Sequence, residues 1–196
     1  NEGDLDSYLI EITSQVLAQV DARTHKPLVE VIQDAAGMKG TGTWTVQEAL
    51  TLGVPVDTIA ASVFSRAVSS TPELRQAGQR VLTGPARQLE PADRDQFVDD
   101  IRQALWASKV VAYAQGLHEI RVASQEYGWQ IDVAQVARLW RAGCIIRARL
   151  LERISQEYAA NDLVSLLEAP SIVEGLTAAQ EGWRRVLTQA MNAGIP

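Results

Sequence analysis

Residues 95–127 read DQFVDDIRQALWASKVVAYAQGLHEIRVASQEY, and this stretch decides the fold class. Its apolar side chains recur at intervals of three and four residues, the spacing that places them on one face of an α-helix. Gly116 is the strongest helix breaker inside the stretch, and Gly128 follows it as a stop signal. The pattern therefore predicts one long helix that spans the core of the domain.

Shorter helical patterns flank this helix on both sides. Before it, the sequence predicts helices whose starts are Asp4 or Asp6, Pro27 (ending near Ala36), Thr45, Asp57 and Thr71 with Pro72. After it, the predicted starts are Asp132, Ile145, Asn161 and Ser171. Two of these starts, Thr45–Glu48 and Ser171–Glu174, have the spacing of a capping box. No segment alternates like a strand, so the prediction is an all-α, multi-helix domain around one long central helix.

The sequence also predicts how the first helix packs and where the chain forms a long surface loop. The first helix presents Leu5, Leu9, Ile12, Val16 and Val20 on one face, which predicts a well-packed amphipathic helix. Residues 83–95 contain prolines and clustered charges and are expected to form a surface loop without chemistry.

Composition limits the function classes. With 196 residues, of which 46% are hydrophobic, the chain is long enough for one large domain with a real core. Its net charge is −6 and it has no basic run, which disfavours nucleic-acid binding. No segment has the apolar length of a membrane span or the plan of a signal peptide. The single cysteine, Cys144, is expected to be a small buried side chain in a reducing, cytoplasmic protein.

A glycine-rich stretch, GMKGTGTWT at 37–45, is the strongest candidate for a binding site. Glycines allow backbone N–H groups to converge on an anion, and Lys39 supplies a positive charge. The stretch is not a Walker motif, because Lys39 precedes Gly40 and Gly42. The alternative is that Gly37 ends a helix and the rest is an ordinary turn between helices.

Arg66 is a second candidate for anion binding. It shares a helix face with Ser62 and Ser69, away from the apolar positions Ile59, Val63 and Val68. An arginine among hydroxyl groups is typical of a solvated face, but it could also bind an anion bidentately.

Nucleophilic and metal chemistry find no support in the sequence. The chain has two histidines, His25 and His118, and neither lies in a context that points to a serine or to Cys144. No metal site is predicted. The five tryptophans, at 44, 106, 129, 140 and 183, are interpreted as core anchors, and the arginines at 147, 149 and 153 are expected to pair with acidic neighbours.

Several of these segments together resemble the helical C-terminal domain of the 6-phosphogluconate dehydrogenase family. The matching segments are DSYLIEIT at 6–13, KGTGTWT at 39–45, VFSR at 63–66, IRQAL at 101–105, YAQG at 113–116, EYGW at 126–129 and WRAGCIIR at 140–147. The resemblance runs nearly from end to end and is weakest between residues 83 and 95.

The resemblance implies an enzyme that uses NADP to decarboxylate 6-phosphogluconate oxidatively to ribulose 5-phosphate in the pentose phosphate pathway. It also implies a homodimer or homotetramer. By the same resemblance, Lys39 and Arg66 bind the substrate phosphate and Thr41 assists them. Thr43 departs from the basic residue that many relatives have there.

The resemblance also implies that parts of the enzyme lie outside residues 1–196. The NADP-binding Rossmann domain, the lysine base and the glutamate acid are expected before Asn1, and a tail that enters the partner subunit's site after Pro196. We therefore expect no catalytic or cofactor-binding residue in this chain and no activity of the fragment alone. Two alternatives are a related β-hydroxyacid dehydrogenase and a helical interaction module without catalysis.

Overall fold

A computed structural model describes residues 3–85, 89 and 91–195 of the chain. Within these residues the chain forms eight α-helices and two 3₁₀ turns but no β-strand, which confirms the all-α prediction. The α-helices are α1 (Tyr8–Leu17), α2 (Thr41–Leu52), α3 (Asp57–Ser69), α4 (Pro72–Val81), α5 (Arg94–Glu126), α6 (Val133–Trp140), α7 (Leu150–Ala160) and α8 (Pro170–Asn192), and the 3₁₀ turns are Leu28–Glu30 and Leu166–Glu168. The helix α5, with 33 residues, is the long helix that the sequence predicts.

The predicted surface loop lies between α4 and α5. Residues 83–85, 89 and 91–93 are in neither helix nor strand, while residues 86–88 and 90 lie outside the described residues.

The chain divides into two compact units. The first is built from the residues up to Ala35 and from Ile120–Leu163, and the second from Ala36–Glu119 and the residues from Val164 onward.

In the first unit, α6 packs against α7 through small and branched apolar side chains. Ala137, Leu151 and Ile154 are fully buried. The Ser155 hydroxyl donates to the Ala134 carbonyl oxygen at 3.1 Å, so a buried polar group is satisfied where the helices meet. The start of α6 is as predicted, because the Asp132 carboxylate accepts the Gln135 N–H at 3.2 Å.

The predicted helix from Ile145 is wrong at its beginning. The helix α7 starts at Leu150, because the preceding backbone pairs with the segment before α1 instead of with itself. The Tyr8 N–H donates to the Arg147 carbonyl oxygen at 3.2 Å, and the Arg149 N–H donates to the Asp6 carbonyl oxygen at 3.0 Å.

The predictions for the first helix also need correction. The N-cap of α1 is Ser7, not Asp4 or Asp6, and no residue of α1 is buried. Leu9 and Val16 are at least 40% exposed, so the expected well-packed face is not present in this unit. Val20 lies beyond the helix and forms a β-bridge with Pro27.

The predicted helix from Pro27 to Ala36 reduces to the 3₁₀ turn Leu28–Glu30. The β-branched side chains of Val29, Val31 and Ile32 disfavour helical backbone. Residues 33–39 lie in neither helix nor strand.

In the second unit, α5 and α8 contact each other and contribute fully buried side chains to the core. Val110, Leu117 and Ile172 are fully buried there. The Asp100 carboxylate is buried and accepts hydrogen bonds from Arg185 Nε at 2.8 Å and Arg185 Nη2 at 2.7 Å, so α5 and α8 are joined by a bidentate ion pair.

The start of α8 differs from the prediction. The helix begins at Pro170, so Ser171–Glu174 is not a capping box. A capping box is present at the preceding 3₁₀ turn, where Ser165 Oγ accepts the Leu167 N–H at 3.2 Å and Glu168 Oε1 accepts the Ser165 N–H at 2.9 Å. Asn161, the predicted cap of this short helix, instead ends α7.

The helix α3 carries Arg66, and a side chain of α5 fixes where it begins. Gln115 Oε1 accepts the Thr58 N–H at 3.1 Å, and Gln115 Nε2 donates to Asp57 Oδ1 at 2.7 Å. A residue of the long helix thus satisfies the first turn of α3, which starts at Asp57 as predicted.

Candidate anion site at the start of α2

The glycine-rich stretch leads directly into α2, whose N-cap lies five residues earlier than the sequence predicts. Its N-cap is Gly40, and the Trp44 N–H donates to the Gly40 carbonyl oxygen at 2.9 Å. The predicted capping box at Thr45 is wrong, since the Thr45 hydroxyl donates to the Thr41 carbonyl oxygen at 2.9 Å, one turn back along the helix. The residues Thr41, Gly42 and Thr43 therefore form the first turn.

This first turn is open to an anion. The first N–H groups of an α-helix have no acceptor within the helix, and Gly40 has no side chain to cap them. The first turn of α2 contains no acidic residue that could take up its partial positive charge. Lys39 and Thr41 flank Gly40 directly, and both side chains are exposed.

The glycines of this junction have different structural roles. Gly40 has φ +105°, a conformation that side chains with a Cβ rarely adopt. Gly42 is helical, and a Cβ added to it would lie 2.9 Å from Val63 Cγ2 on α3. Gly40 thus turns the chain into α2, and Gly42 permits α2 to approach α3 closely.

Arg66 lies on the last turns of α3 and reaches the glycine-rich stretch. Its Nη2 donates to the carbonyl oxygen of Gly37, two residues before Lys39. The side chain is exposed, but its position is defined by this contact and is not that of a freely solvated arginine. The structure therefore places Lys39, Thr41 and Arg66 around one junction between a loop and a helix. In the described part of the chain, the three side chains make no hydrogen bond or ion pair with one another.

Two serines at the end of α3 also contact this junction. The Ser70 hydroxyl donates to the Ala36 carbonyl oxygen at 2.7 Å, and the Ser69 hydroxyl accepts the Ala36 N–H at 3.2 Å. Ser69 shares the face of Arg66 in the sequence pattern, but Ser70 was not singled out by sequence reasoning. Its position four residues after Arg66 is the signal that could have identified it.

One carboxyl group near α2 has an altered pKa. Glu119, on α5, is 7% exposed, and burial raises the pKa of its carboxyl group. The negative charge of Glu48, on α2, raises the Glu119 pKa further. Both carboxyl groups lie outside the first turn of α2, where the candidate anion site is.

A second cluster of cations lies in the first unit, and two of its three arginines have partners there. A cavity of about 220 Å³ is lined by Tyr8, Arg141, Arg147 and Arg149 together with acidic residues. The Arg147 guanidinium lies 3.8 Å from the centre of the Tyr8 ring, and Arg141 forms an ion pair with Glu152. Arg147 thus stacks on an aromatic ring instead of pairing with an acidic neighbour as expected.

Other sequence expectations have mixed outcomes. Trp106 is buried as a core anchor, but Trp44 and Trp129 are 64% and 58% exposed. Cys144 is partly exposed. Within the described residues, no set of three histidine, cysteine or acidic side chains is arranged to hold a metal ion, and no helix combines the length and apolarity needed to cross a bilayer.

Comparison with known proteins shows which family the chain resembles. The family model described as 6-phosphogluconate dehydrogenase, C-terminal domain, matches residues 1–196. A relative from Schizosaccharomyces pombe, named 6-phosphogluconate dehydrogenase, decarboxylating, is 47% identical over 100% of this chain and 40% of its own length. A Bacillus subtilis relative, named as the NAD(+)-dependent decarboxylating enzyme, is 42% identical over 100% of this chain and 42% of its own length.

A solved structure agrees with the sequence relatives. The Plasmodium falciparum 6-phosphogluconate dehydrogenase, described in its apo form and in complexes with its cofactor NADP+ and its substrate 6-phosphogluconate, superposes with a TM-score of 0.93. It is 37% identical, and the match covers 100% of this chain and 42% of that one. The chain spans about two fifths of the length of each of these three relatives. The resemblance inferred from the sequence is thereby confirmed, and the chain belongs to the 6-phosphogluconate dehydrogenase family, whose C-terminal domain it matches over its full length.

Proposed function

We propose that this chain is the helical, substrate-binding part of an enzyme that oxidatively decarboxylates 6-phosphogluconate to ribulose 5-phosphate, within the pentose phosphate pathway. One observation carries the proposal: an uncapped helix start, flanked by Lys39 and Thr41, lies where Arg66 of another helix contacts the same loop. A phosphate dianion is the ligand that best fits two cations, a hydroxyl group and free backbone N–H groups.

Each part of the junction has a distinct task in this proposal. Lys39 supplies a point charge, Arg66 supplies a planar group that can bind two phosphate oxygens, and Thr41 donates through its hydroxyl. Binding the phosphate at one end orients the sugar acid, so that its other end is held for the chemistry.

The catalytic groups of the proposed enzyme belong to parts of the family's polypeptide that this chain does not match. When bound, the nicotinamide cofactor accepts the hydride; NADP is the proposed cofactor, as in the Plasmodium falciparum complex, although the Bacillus subtilis relative is named NAD(+)-dependent.

The proposal includes a homodimer or homotetramer in the cytoplasm. Large apolar side chains on the second unit support self-association, since Leu50 is 79% exposed and Phe64 is 63% exposed. A single cysteine, which permits no disulfide within the chain, supports a reducing compartment.

The phosphate assignment is tested with Lys39→Ala and Arg66→Ala in the complete enzyme. Loss of one charge-assisted contact costs about 1.5–3 kcal/mol, which corresponds to roughly a ten- to hundredfold higher KM for 6-phosphogluconate. Arg80→Ala is the matched control, because Arg80 is exposed on α4 and its Nε donates only along its own helix, to the Gln76 carbonyl oxygen.

Two results would contradict the assignment. The first is an unchanged KM in both Lys39→Ala and Arg66→Ala. The second is equally efficient turnover of unphosphorylated gluconate by the unaltered enzyme, which would indicate a related β-hydroxyacid dehydrogenase.

A further inference from the structure

The last turn of α3 holds two consecutive residues of the segment that leads into the glycine-rich stretch. Ala36 is bonded through both its N–H and its carbonyl group, to Ser69 and Ser70 respectively, and Gly37 is bonded through its carbonyl group to Arg66. Three side chains from the end of one helix thus bind three consecutive peptide units.

The hydroxyl protons can be assigned from the distances. Ser69 Oγ lies 2.8 Å from the Arg66 carbonyl oxygen, so it can donate there while it accepts the Ala36 N–H. Ser70 Oγ lies 2.7 Å from the Ala36 carbonyl oxygen and 3.0 Å from that of Arg66, and its one proton is best used in the shorter contact. Both serines therefore connect α3 to the loop.

These contacts matter because the loop has no regular structure of its own. Residues 36–39 lie in neither helix nor strand, and the backbone groups of Ala36 and Gly37 find their partners on α3 side chains and not in a backbone ladder. Lys39 lies two positions after Gly37 in the chain. Its position relative to Arg66 is therefore set by where α3 binds Ala36 and Gly37.

We propose that Ser69 and Ser70 are positioning residues for the phosphate site. By binding Ala36, they hold the loop before α2 at the end of α3, where Lys39 and Arg66 can bind the same phosphate. The inference rests on the proposed function, but it assigns a role to two residues that do not themselves bind substrate. Arg66 has a double role, because it holds Gly37 and offers its remaining N–H groups to the phosphate.

The expected effect is on substrate affinity. Losing one net hydrogen bond of this kind raises KM for 6-phosphogluconate about two- to tenfold. The kcat should change less than twofold, because the hydroxyl groups act on the phosphate end and not on the reacting atoms. Ser70→Thr, which retains the hydroxyl, should restore most of the affinity lost in Ser70→Ala.

The experiment compares Ser69→Ala, Ser70→Ala and the double variant in the complete enzyme. Ser62→Ala is the matched control, because Ser62 lies on the same helix and its hydroxyl donates only to the Thr58 carbonyl oxygen of that helix. Each variant is also combined with Arg66→Ala. If the serines act by positioning the loop for Arg66, their effect on KM should be much smaller in that background.

The outcomes separate this inference from the proposed function. If Arg66→Ala raises KM and the serine variants do not, the positioning role is refuted while the phosphate assignment stands. If Arg66→Ala leaves KM unchanged, the positioning role is refuted, and if Lys39→Ala leaves it unchanged as well, the phosphate assignment is refuted too. Two results would instead show that the serines have a general structural role. The first is a lower melting temperature together with a fall in kcat as large as the rise in KM. The second is a KM increase in Ser62→Ala as large as that in Ser70→Ala.

Discussion

A close contact between α5 and α8 leads to a specific prediction about stability. Gly175, on α8, lies against the buried indole ring of Trp106, on α5. A Cβ added at Gly175 would lie 2.3 Å, 2.9 Å and 3.0 Å from three atoms of that ring. Gly175→Ala is therefore expected to destabilise the protein, although alanine is the better helix former.

The change in the free energy of unfolding for Gly175→Ala is the sum of two opposing effects, helix propensity and overpacking of the core. Replacing glycine by alanine inside a helix stabilises it by about 1 kcal/mol. Forcing an additional carbon atom into a packed core costs about 1–3 kcal/mol, and the upper end applies because a rigid, buried ring cannot move aside. The net loss is about 2 kcal/mol, which for a chain of this size lowers the melting temperature by roughly 4–8 °C.

The assay is urea unfolding of the purified protein, followed by circular dichroism at 222 nm. Gly78→Ala is the matched control, because Gly78 is also helical but the nearest atom to its added Cβ is Leu82 Cδ1 at 3.9 Å. That control should be more stable by about 0.5–1 kcal/mol. A second substitution, Trp106→Leu, should remove most of the cost of Gly175→Ala, since it creates space for the added methyl group.

Equal or increased stability of Gly175→Ala, together with the expected gain in Gly78→Ala, would refute the argument. It would show that α8 can move away from α5 without loss, and that Gly175 is not required for their packing.

Three further predictions concern the same unit. Gly42→Ala should raise KM for 6-phosphogluconate by about fivefold in the complete enzyme, because its Cβ would displace α2 from Val63; Val63→Ala should reverse this. Asp100→Asn should lower the urea midpoint at pH 7. The Arg185 guanidinium holds the Asp100 pKa below its usual value, so the difference should shrink as the pH falls below about 4. Burial raises the Glu119 pKa, so ionised Glu119 opposes folding; Glu119→Gln should raise the urea midpoint at pH 7, with no gain below about pH 4.

The sequence predicted best those helices whose signals are local. The long helix was placed at 95–127 and is Arg94–Glu126, because its periodicity extends over many turns and Gly128 ends it. The starts of α4 and α6 depend on Pro72 and on the capping residue Asp132, and these signals are read directly from the chain.

The errors occur where the backbone bonds to a distant part of the chain. Residues 147–149 pair with the segment around Tyr8, and Ala36 pairs with serines of α3. Neither contact produces a periodic pattern, so sequence reasoning extended the neighbouring helices through both segments. Ser70 was missed for the same reason, since its importance comes from a partner 34 residues away.

The candidate site shows why helix register decides whether an anion is favoured. If α2 began at Thr45, Glu48 would lie in its first turn, where a carboxylate would compete for the partial positive charge. Since α2 begins at Thr41, Glu48 lies two turns inside the helix. The uncapped N-terminus lies five residues closer to Lys39 than predicted, which is about 7.5 Å of helix at roughly 1.5 Å per residue. Gly42, which the sequence places in the glycine-rich stretch, permits the close approach of α2 to α3, because a Cβ there would lie 2.9 Å from Val63 Cγ2. The close packing of α2 on α3 and the positive charge beside Lys39 therefore have the same origin, and a substitution at Gly42 should affect both.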